Sequence, residues 1–244
     1  LDQAQTQALL TDAPAAYRKQ VNDLLLAALG SALCQWSGHQ KILVDLEGHG
    51  REDLYTDIDL SRTIGWFTAL FPVILDPSGD LPQRIKQIKE SLRKIPNKGL
   101  GYGLFKYYGT AAQRQIFHDL PKAQVVFNYL GQFDSSFGEQ APWMLADETI
   151  GDLMDHDVIQ QHDLSINSHI YNGELCLEIN YSEARYVKTA IEAFVELLLI
   201  ELKAIIDHCG RGFRGVTPSD FPLVQLTPDE LDDLPIPAEQ LEDL

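Results

Sequence analysis

Apolar residues recur at helical spacing in four stretches of the chain. Residues three and four positions apart share one face of an α-helix, so this spacing is typical of amphipathic helices. Pro14 lies near the start of the first stretch, where a helix tolerates a residue without a backbone N–H. The pattern predicts helices over residues 13–36, 81–95, 104–120 and 183–208.

Shorter segments rich in β-branched and aromatic residues predict strands at residues 41–46, 64–75 and 124–130. Apolar and polar side chains alternate on either side of Asn172-Gly173, over residues 164–171 and 174–181. Asn-Gly is typical of a two-residue hairpin turn, so two antiparallel strands are expected there. The order of elements predicts one layered α/β subdomain, in which helices flank a mixed sheet.

Charge and cysteine content narrow the functional classes. The formal net charge of -17 argues against a nucleic-acid partner, because phosphate binding requires clustered Lys and Arg. The most apolar stretch, residues 190–206, contains four charged residues and is expected to be a core helix, so no membrane partner is expected. The three cysteines, Cys34, Cys176 and Cys209, form no disulfide framework, which favours the reducing cytoplasm.

The C-terminal end is acidic and contains several prolines. Residues 227–244 include seven Asp or Glu residues, no Lys or Arg, and three prolines. This composition is typical of a solvated linker. We therefore expect a subdomain over residues 1–216 and an acidic linker over residues 217–244.

One short segment has the composition of an active site. Glu47-Gly48-His49-Gly50-Arg51-Glu52 combines a carboxylate, an imidazole and a guanidinium with two glycines that permit sharp turns. On composition alone, a surface turn with a solvated Glu-Arg pair is the more common explanation.

Other polar segments do not predict a metal or nucleotide site. Asp155-His156-Asp157 and His162-Asp163 lack a metal-ligand spacing and are interpreted as solvated loops. The glycines of residues 98–103 follow a predicted helix and do not link a strand to a helix, which disfavours a nucleotide-binding loop. No metal and no directly bound cofactor are expected.

Five ordered segments resemble the epimerization domains of nonribosomal peptide synthetases, which are members of the condensation-domain superfamily. The opening helix, with Ala16-Tyr17-Arg18 and Asn22-Asp23-Leu24-Leu25-Leu26, is similar to the family's P-x-A-Y-R and N-D-L-L-L pattern. The other four are E-G-H-G-R-E at residues 47–52, S-R-T-I-G-W-F-T at 61–68, K-G-L-G-Y-G at 98–103 and F-N-Y-L-G-Q-F at 127–133. The resemblance implies the chloramphenicol-acetyltransferase-like condensation/epimerization fold.

The resemblance also indicates the subtype and an incomplete site. Peptide-bond-forming members typically carry an N-T-L-P type segment where this chain has residues 68–72, so epimerization is favoured over condensation. The family's H-H-x-x-x-D motif comes from the N-terminal half of a domain about twice this length. No His-His pair occurs in these 244 residues. The resemblance therefore implies a C-terminal half, which we expect to be inactive alone.

The implied reaction interconverts the L and D configurations at the α-carbon of an aminoacyl or peptidyl thioester. Glu47 is expected to be one proton-transfer group. Asn128 and Tyr129 are candidates for orienting the thioester or binding the enolate, although Tyr129 is equally well explained as a core residue. His49 is expected to fix the loop around Glu47, Arg51 to pair with a carboxylate, and Trp66 to line the core or a tunnel.

The implied partners are a peptidyl carrier domain, whose phosphopantetheine arm presents the substrate, the N-terminal half, and a following condensation domain. An exposed surface between the halves would favour self-association. Two alternatives remain open, namely a non-catalytic carrier-docking module and an amide-forming condensation domain.

Overall fold

The computed structural model describes residues 1–234, except for 53, 55, 134–150, 152–157, 214, 222, 224 and 225. The described strands form one five-stranded sheet in the order β2-β1-β3-β4-β5. Their bounds are β1 Ile42–Gly48, β2 Ala69–Leu75, β3 Val125–Gln132, β4 Leu164–Tyr171 and β5 Glu174–Tyr181. Strands β1, β3 and β4 run parallel, while β2 and β5 pair antiparallel at the two edges. The predicted mixed sheet is confirmed.

Helices pack mainly against one face of this sheet. Their bounds are α1 Gln3–Leu10, α2 Asp12–Tyr17, α3 Val21–Ser37, α4 Leu81–Arg93, α5 Leu100–Tyr108, α6 Ala111–Asp119, α7 Lys188–Gly210 and α8 Pro228–Asp232. Two 3-10 turns lie at Pro96–Gly99 and Pro218–Asp220. Helix α3 is buried from Asp23 to Cys34, which makes it the central helix of the core. No helix among the described residues is both long and apolar enough to cross a membrane.

The predicted hairpin has the expected turn and register. Asn172 and Gly173 both adopt positive φ, at 53° and 72°. Two consecutive left-handed residues match the twist of paired strands and suit Asn-Gly. The ladder runs without interruption from Leu164 opposite Tyr181 to Tyr171 opposite Glu174.

Three of the predicted helices differ from those in the structure. The helix expected over residues 13–36 is divided, because Arg18 takes a left-handed conformation after α2 and Gln20 caps α3. The helix expected over 104–120 is divided at Gly109, and Thr110 then caps α6. Helix α7 begins at Lys188 and not at residue 183, because residues 182–186 form a turn around the Ser182 carbonyl.

The strand expected over residues 64–75 is shorter than predicted. Strand β2 begins at Ala69, opposite Gly48 on β1. Residues 64–68 are not in a strand, although their apolar side chains suggested one. Helix α5 also begins earlier than predicted, so two of the glycines expected in a loop, Gly101 and Gly103, lie within it.

Side-chain alternation gives the sheet two different faces. Val44 and Leu46 of β1, Phe127 of β3 and Ile166 of β4 belong to the hydrophobic core beneath the helices. Successive residues of a strand point to opposite faces, so the residues between them lie on the other side. That side, which we call the second face, carries Asp45, Glu47, Asn128, Ser165 and Asn167.

The packed part of the chain continues beyond residue 216. Thr217 and Phe221 are buried, and Asp220 pairs with the buried Lys89 of α4. The first residues of the expected linker are therefore held against the subdomain. Residues 235–244 lie outside the described part of the chain, and a linker function for this end stays a prediction.

Candidate active site

Glu47 and Asn128 form a hydrogen-bonded pair at the centre of the second face. Leu46 of β1 pairs in parallel register with Phe127 of β3, so the next residue on each strand also comes together. The Asn128 Nδ2 donates to Glu47 Oε2 at 2.8 Å. The structure thus brings together two of the three residues that the sequence proposed for catalysis.

The Glu47 carboxylate is partly shielded from water. Burial raises the pKa of Glu47 above its ordinary value, and the nearby His162 acts in the opposite direction. Asn128 uses only one carboxylate oxygen, and no described residue donates a hydrogen bond to the other, Oε1. A half-buried carboxylate whose second oxygen receives no hydrogen bond from a described residue is able to accept and return a proton.

A second polar pair lies beside Glu47 on the same face. Asp45 precedes Glu47 by two residues on β1, so both side chains point to the second face. The distance from His162 Nε2 to Asp45 Oδ2 is 2.8 Å, and the two side chains are only 14% and 20% exposed. The sequence-based interpretation of His162 as part of a solvated loop is therefore wrong. Asp155-His156-Asp157 lies outside the described residues.

Tyr129 lies on the opposite side of the sheet from Glu47. It follows Asn128 directly in β3, and its side chain packs against the hydrophobic core. Burial raises the pKa of the Tyr129 phenol above its ordinary value. This placement favours the core-residue interpretation that the sequence left open, and a catalytic role for Tyr129 stays a prediction without geometric support.

The loop after Glu47 turns sharply through Gly50. Its φ is +66°, and a Cβ atom at this position would lie 1.6 Å from the carbonyl oxygen of Phe67. A glycine is therefore needed where this loop meets residues 65–67.

His49 lies in the same loop. Its Nδ1 accepts a hydrogen bond from the backbone N–H of Arg51 at 3.0 Å, a contact inside the loop, as its proposed structural role requires.

Arg51 connects this loop to the next motif. Its guanidinium donates to the carbonyl oxygens of Leu60 and Gly65, at 3.0 and 3.2 Å, and lies 4.2 Å from the centroid of the Phe67 ring. These contacts hold residues 60–67 against the end of β1. These contacts of Arg51 with described residues involve carbonyl oxygens and an aromatic ring, and none of them is with a carboxylate. The carboxylate partner expected for Arg51 therefore stays a prediction.

The glycine-containing motif at residues 98–103 approaches the same loop. Lys98 Nζ lies 2.7 Å from Glu52 Oε2, and the Glu52 side chain is only 14% exposed. Asn97, Lys98 and Gly99 adopt three consecutive positive φ values, a turn that aims the lysine at Glu52. The structure therefore explains this motif as support for the loop after β1.

Trp66 does not belong to the core of the described chain. Its side chain is 91% exposed, so the core alternative is wrong and a tunnel-wall role stays a prediction. Other large apolar side chains are exposed on α5 and α6, namely Leu104, Phe105, Tyr107, Tyr108 and Ile116. No three His, Cys, Asp or Glu side chains of the described residues are grouped to hold a metal ion.

Sequence reasoning did not identify Asp45 and His162 as site residues. The available signal was a carboxylate at an alternate position of a short buried strand, together with a histidine two residues before the start of another strand. The two residues are 117 positions apart in the sequence, so a local pattern does not reveal their contact.

Comparison with known proteins identifies the family. The family model described as Condensation domain matches residues 1–220. Tyrocidine synthase 2 of Brevibacillus parabrevis is 37% identical over 233 residues, and gramicidin S synthase 1 of Brevibacillus brevis is 38% identical over 241 residues. Both matches cover 94% of this chain but only 6% and 22% of the two relatives.

Solved structures share the fold. The epimerization domain from the third module of tyrocidine synthetase B aligns with a TM-score of 0.78 at 37% identity, covering 86% of this chain and 47% of that one. The first condensation domain of the CDA synthetase aligns with a TM-score of 0.53 at 14% identity, covering 85% of this chain and 44% of that one, which shows the fold alone. The predicted α/β fold of condensation and epimerization domains is therefore confirmed, and the chain belongs to the condensation-domain family of nonribosomal peptide synthetases.

Proposed function

We propose that this chain is the C-terminal half of an epimerization domain and that Glu47 is one of its two proton-transfer groups. The observation that carries the proposal is the Asn128 to Glu47 hydrogen bond of 2.8 Å on the second face of the sheet. The identity of 37% and the TM-score of 0.78 to the tyrocidine synthetase epimerization domain support epimerization.

The proposed reaction moves one proton off the α-carbon and another onto it. The ionised Glu47 accepts the α-proton through the oxygen that Asn128 does not bond, and the electron pair of the C–H bond delocalises into the thioester carbonyl as an enolate. A second acid returns a proton to the opposite face of the α-carbon. The resemblance assigns that second group to the histidine motif of the N-terminal half. Glu47 then releases its proton to solvent and the second group takes one up from solvent, so both groups are reset and no atom is gained or lost over the cycle.

Asn128 has a positioning role in this scheme. Its amide nitrogen donates to one Glu47 oxygen, which restrains the carboxylate and leaves the other oxygen without a hydrogen bond from Asn128. A hydrogen bond to the charged form favours ionisation, whereas burial opposes it. Burial has the larger effect, so the pKa of Glu47 lies above its ordinary value.

The proposed substrate is an aminoacyl or peptidyl thioester on the phosphopantetheine arm of a peptidyl carrier domain. Both relatives are named as synthases, and most of their length lies outside the match to this chain, which leaves room for a carrier domain. The chain spans less than a quarter of the length of those two relatives. The N-terminal half, which would cover the second face, and a following condensation domain are therefore also proposed partners.

The test is α-proton exchange in D₂O from a carrier-bound L-aminoacyl thioester, with this chain supplied together with the matching N-terminal half. Glu47→Gln preserves shape and removes the proton-accepting oxygen, so exchange should fall by about 100-fold or more. Glu178→Gln is the matched control. Glu178 is exposed on β5 and lies on the same sheet face, opposite Asn167.

Each outcome decides one point. Exchange that survives Glu47→Gln removes Glu47 from the mechanism. Absence of exchange in the wild-type complex rejects epimerization. In that case, peptide formation from two carrier-bound substrates would identify a condensation domain, and carrier binding without turnover would identify a docking module.

A further inference from the structure

Asn167 lies in the same row of side chains as Glu47 and Asn128 on the second face of the sheet. Strand β4 runs parallel to β3, and the register of the two strands sets Asn167 opposite Asn128. Ile166 and Ser168 are buried on the core side of β4, so Asn167 between them points to the second face, where it is only partly buried. The row therefore continues from the proposed base, through its hydrogen-bond donor, to a second carboxamide.

The side chains on either side of Asn167 bond to other residues. The Asn128 Nδ2 donates to Glu47 at 2.8 Å. On the other side, Glu178 of β5 stands opposite Asn167, and its Oε1 accepts from Asn180 Nδ2 at 3.0 Å. Within the part of the chain that the structure describes, no residue forms a hydrogen bond with the Asn167 side chain. Its carboxamide therefore presents its donors and its acceptor to whatever lies above the sheet.

A carboxamide is the chemical complement of a secondary amide. Its NH₂ group donates to an amide oxygen, and its oxygen accepts from an amide N–H. A peptidyl thioester carries one secondary amide at the nitrogen of its α-carbon. Every phosphopantetheine thioester carries another, which two methylene groups separate from the sulfur. The proposed substrate therefore contains the group that the Asn167 side chain is suited to bind.

The spacing of the strands suits such an amide. Neighbouring strands lie about 4.8 Å apart, so the Cα atoms of Glu47 and Asn167, with β3 between their strands, lie about 10 Å from each other. A contact of about 3 Å at each end leaves about 4 Å to be spanned by the substrate. A trans peptide unit spans about 3.8 Å. A substrate whose α-carbon contacts Glu47 can therefore bring an amide to Asn167.

We propose that Asn167 is a substrate-binding residue whose carboxamide forms hydrogen bonds with a secondary amide of the thioester held at Glu47. Once the second face is covered, a side-chain amide without a partner is unfavourable, so Asn167 needs one. The alternative partner is a group of the N-terminal half. The effect of Asn167 on the rate of exchange rests on the function proposed above, whereas its contact with the thioester does not.

The test compares Asn167→Ala with wild type in the complete domain, in which this chain is combined with the matching N-terminal half. The probe is an N-acetyl-L-aminoacyl thioester of N-acetylcysteamine, which carries both amides, and α-proton exchange in D₂O is measured at increasing concentrations of it. Loss of one neutral hydrogen bond to the substrate should lower kcat/KM by about 3- to 10-fold, mainly through KM. The matched control is Asn180→Ala, which removes an exposed asparagine of the same face on β5 and should leave kcat/KM unchanged.

Two further thioesters identify the amide that Asn167 binds. The first has a free α-amine and keeps the cysteamine amide, whereas the second keeps the N-acetyl group and replaces the cysteamine with a butyl thiol. If Asn167 binds the N-acyl amide, the loss in Asn167→Ala should disappear with the first thioester and persist with the second. If it binds the amide of the arm, the two results should be reversed, because removing either partner of one hydrogen bond leaves nothing for the other removal to cost.

Two results would overturn the proposal. One is a kcat/KM that is the same in Asn167→Ala and wild type. The other is a loss of equal size with all three thioesters, which would show that Asn167 acts through the fold or through the N-terminal half.

Failure of this proposal is distinguishable from failure of the proposed function. If the wild type exchanges no α-proton with any of the thioesters, epimerization is rejected, and binding of the same thioesters, followed by ¹H,¹⁵N NMR, decides the role of Asn167. Titration should shift the side-chain amide signal of Asn167, which is assigned from its loss in Asn167→Ala, and the variant should bind about 3- to 10-fold more weakly. An amide signal that does not shift, or equal dissociation constants for wild type and variant, would refute the contact.

Discussion

The buried ion pair between Lys89 and Asp220 allows a quantitative test of how residues 217–221 are held. The Lys89 side chain, on α4, is 2% exposed, and that of Asp220 is 9% exposed. Lys89 Nζ donates to the Tyr17 carbonyl oxygen at 3.0 Å and to Asp220 Oδ1. Burial lowers the pKa of Lys89, and Asp220 is the first of the groups that oppose this effect.

Asp220→Asn should destabilise the chain strongly at pH 7. The substitution keeps the shape and an oxygen acceptor but leaves the Lys89 ammonium buried without its counter-charge. Removing one partner of a buried ion pair typically costs about 3–5 kcal/mol, and the retained acceptor places this case near the lower end, at about 3 kcal/mol. Replacing both residues with apolar side chains, as in Lys89→Met with Asp220→Leu, should recover most of this loss.

The assay is equilibrium unfolding of the chain in urea, followed by tryptophan fluorescence and circular dichroism. Glu192→Gln is the control, because Glu192 faces Lys188 on the surface of α7 at 3.8 Å with both side chains more than half exposed. Breaking this exposed pair should change the free energy of unfolding by less than about 0.5 kcal/mol. An Asp220→Asn loss no larger than the Glu192→Gln loss would refute the reasoning, since a buried uncompensated charge cannot be that inexpensive.

Two further predictions concern Gly50 and Lys19. Gly50→Ala should lower the free energy of unfolding by more than Gly38→Ala. Both glycines have a positive φ, which costs a residue with a β-carbon about 1–2 kcal/mol, but only at Gly50 would the new β-carbon also clash with the Phe67 carbonyl oxygen. Equal losses of the two variants in urea unfolding would contradict this prediction. Burial lowers the pKa of Lys19 to about 7, so the unfolded chain binds more protons above that pH and stability should rise by up to about 1.4 kcal/mol per pH unit. The test range is pH 7 to 9, because burial raises the pKa of Cys209 to about 11, which opposes the rise at higher pH. Burial also lowers the pKa of Lys89, so part of the rise can remain in Lys19→Met, and an equal slope in wild type and Lys19→Met would contradict the assignment.

Local signals predicted the fold where the structure depends on local chemistry. The Asn172-Gly173 hairpin was predicted correctly at both strands, because a turn that needs two positive φ values selects those residues. The break at Arg18 was not predicted. The segment between α2 and α3 places the Lys19 side chain in the interior, against the Ile85 carbonyl of α4, and helical spacing does not report such a long-range contact.

The candidate site was also predicted where local motifs identify its residues and missed where a long-range contact decides. Glu47 and Asn128 were identified from two motifs that resemble a known family, and their contact follows from parallel strands that the motifs alone do not specify. His162 was missed because its partner lies 117 residues away, on a strand that is not its neighbour in the sheet. Tyr129 shares a motif with Asn128, but alternation along β3 places the two side chains on opposite faces. The position of Tyr129 next to Asn128 in the sequence therefore suggested a place in the site that the geometry does not support.

The two faces of the sheet also explain why the proposed chemistry requires a second protein surface. The helices cover the core face, where Val44, Leu46 and Phe127 are buried, and this packing stabilises the fold. The second face carries the carboxylates of β1, with Glu47 only partly buried. A carboxylate that is open to water on one side is a weak base for a carbon acid, because solvent stabilises its charge. A partner that covers this face would raise the proton affinity of Glu47 further, because removing water from the carboxylate disfavours its charged form, and Glu47 would then be a stronger base for the α-proton.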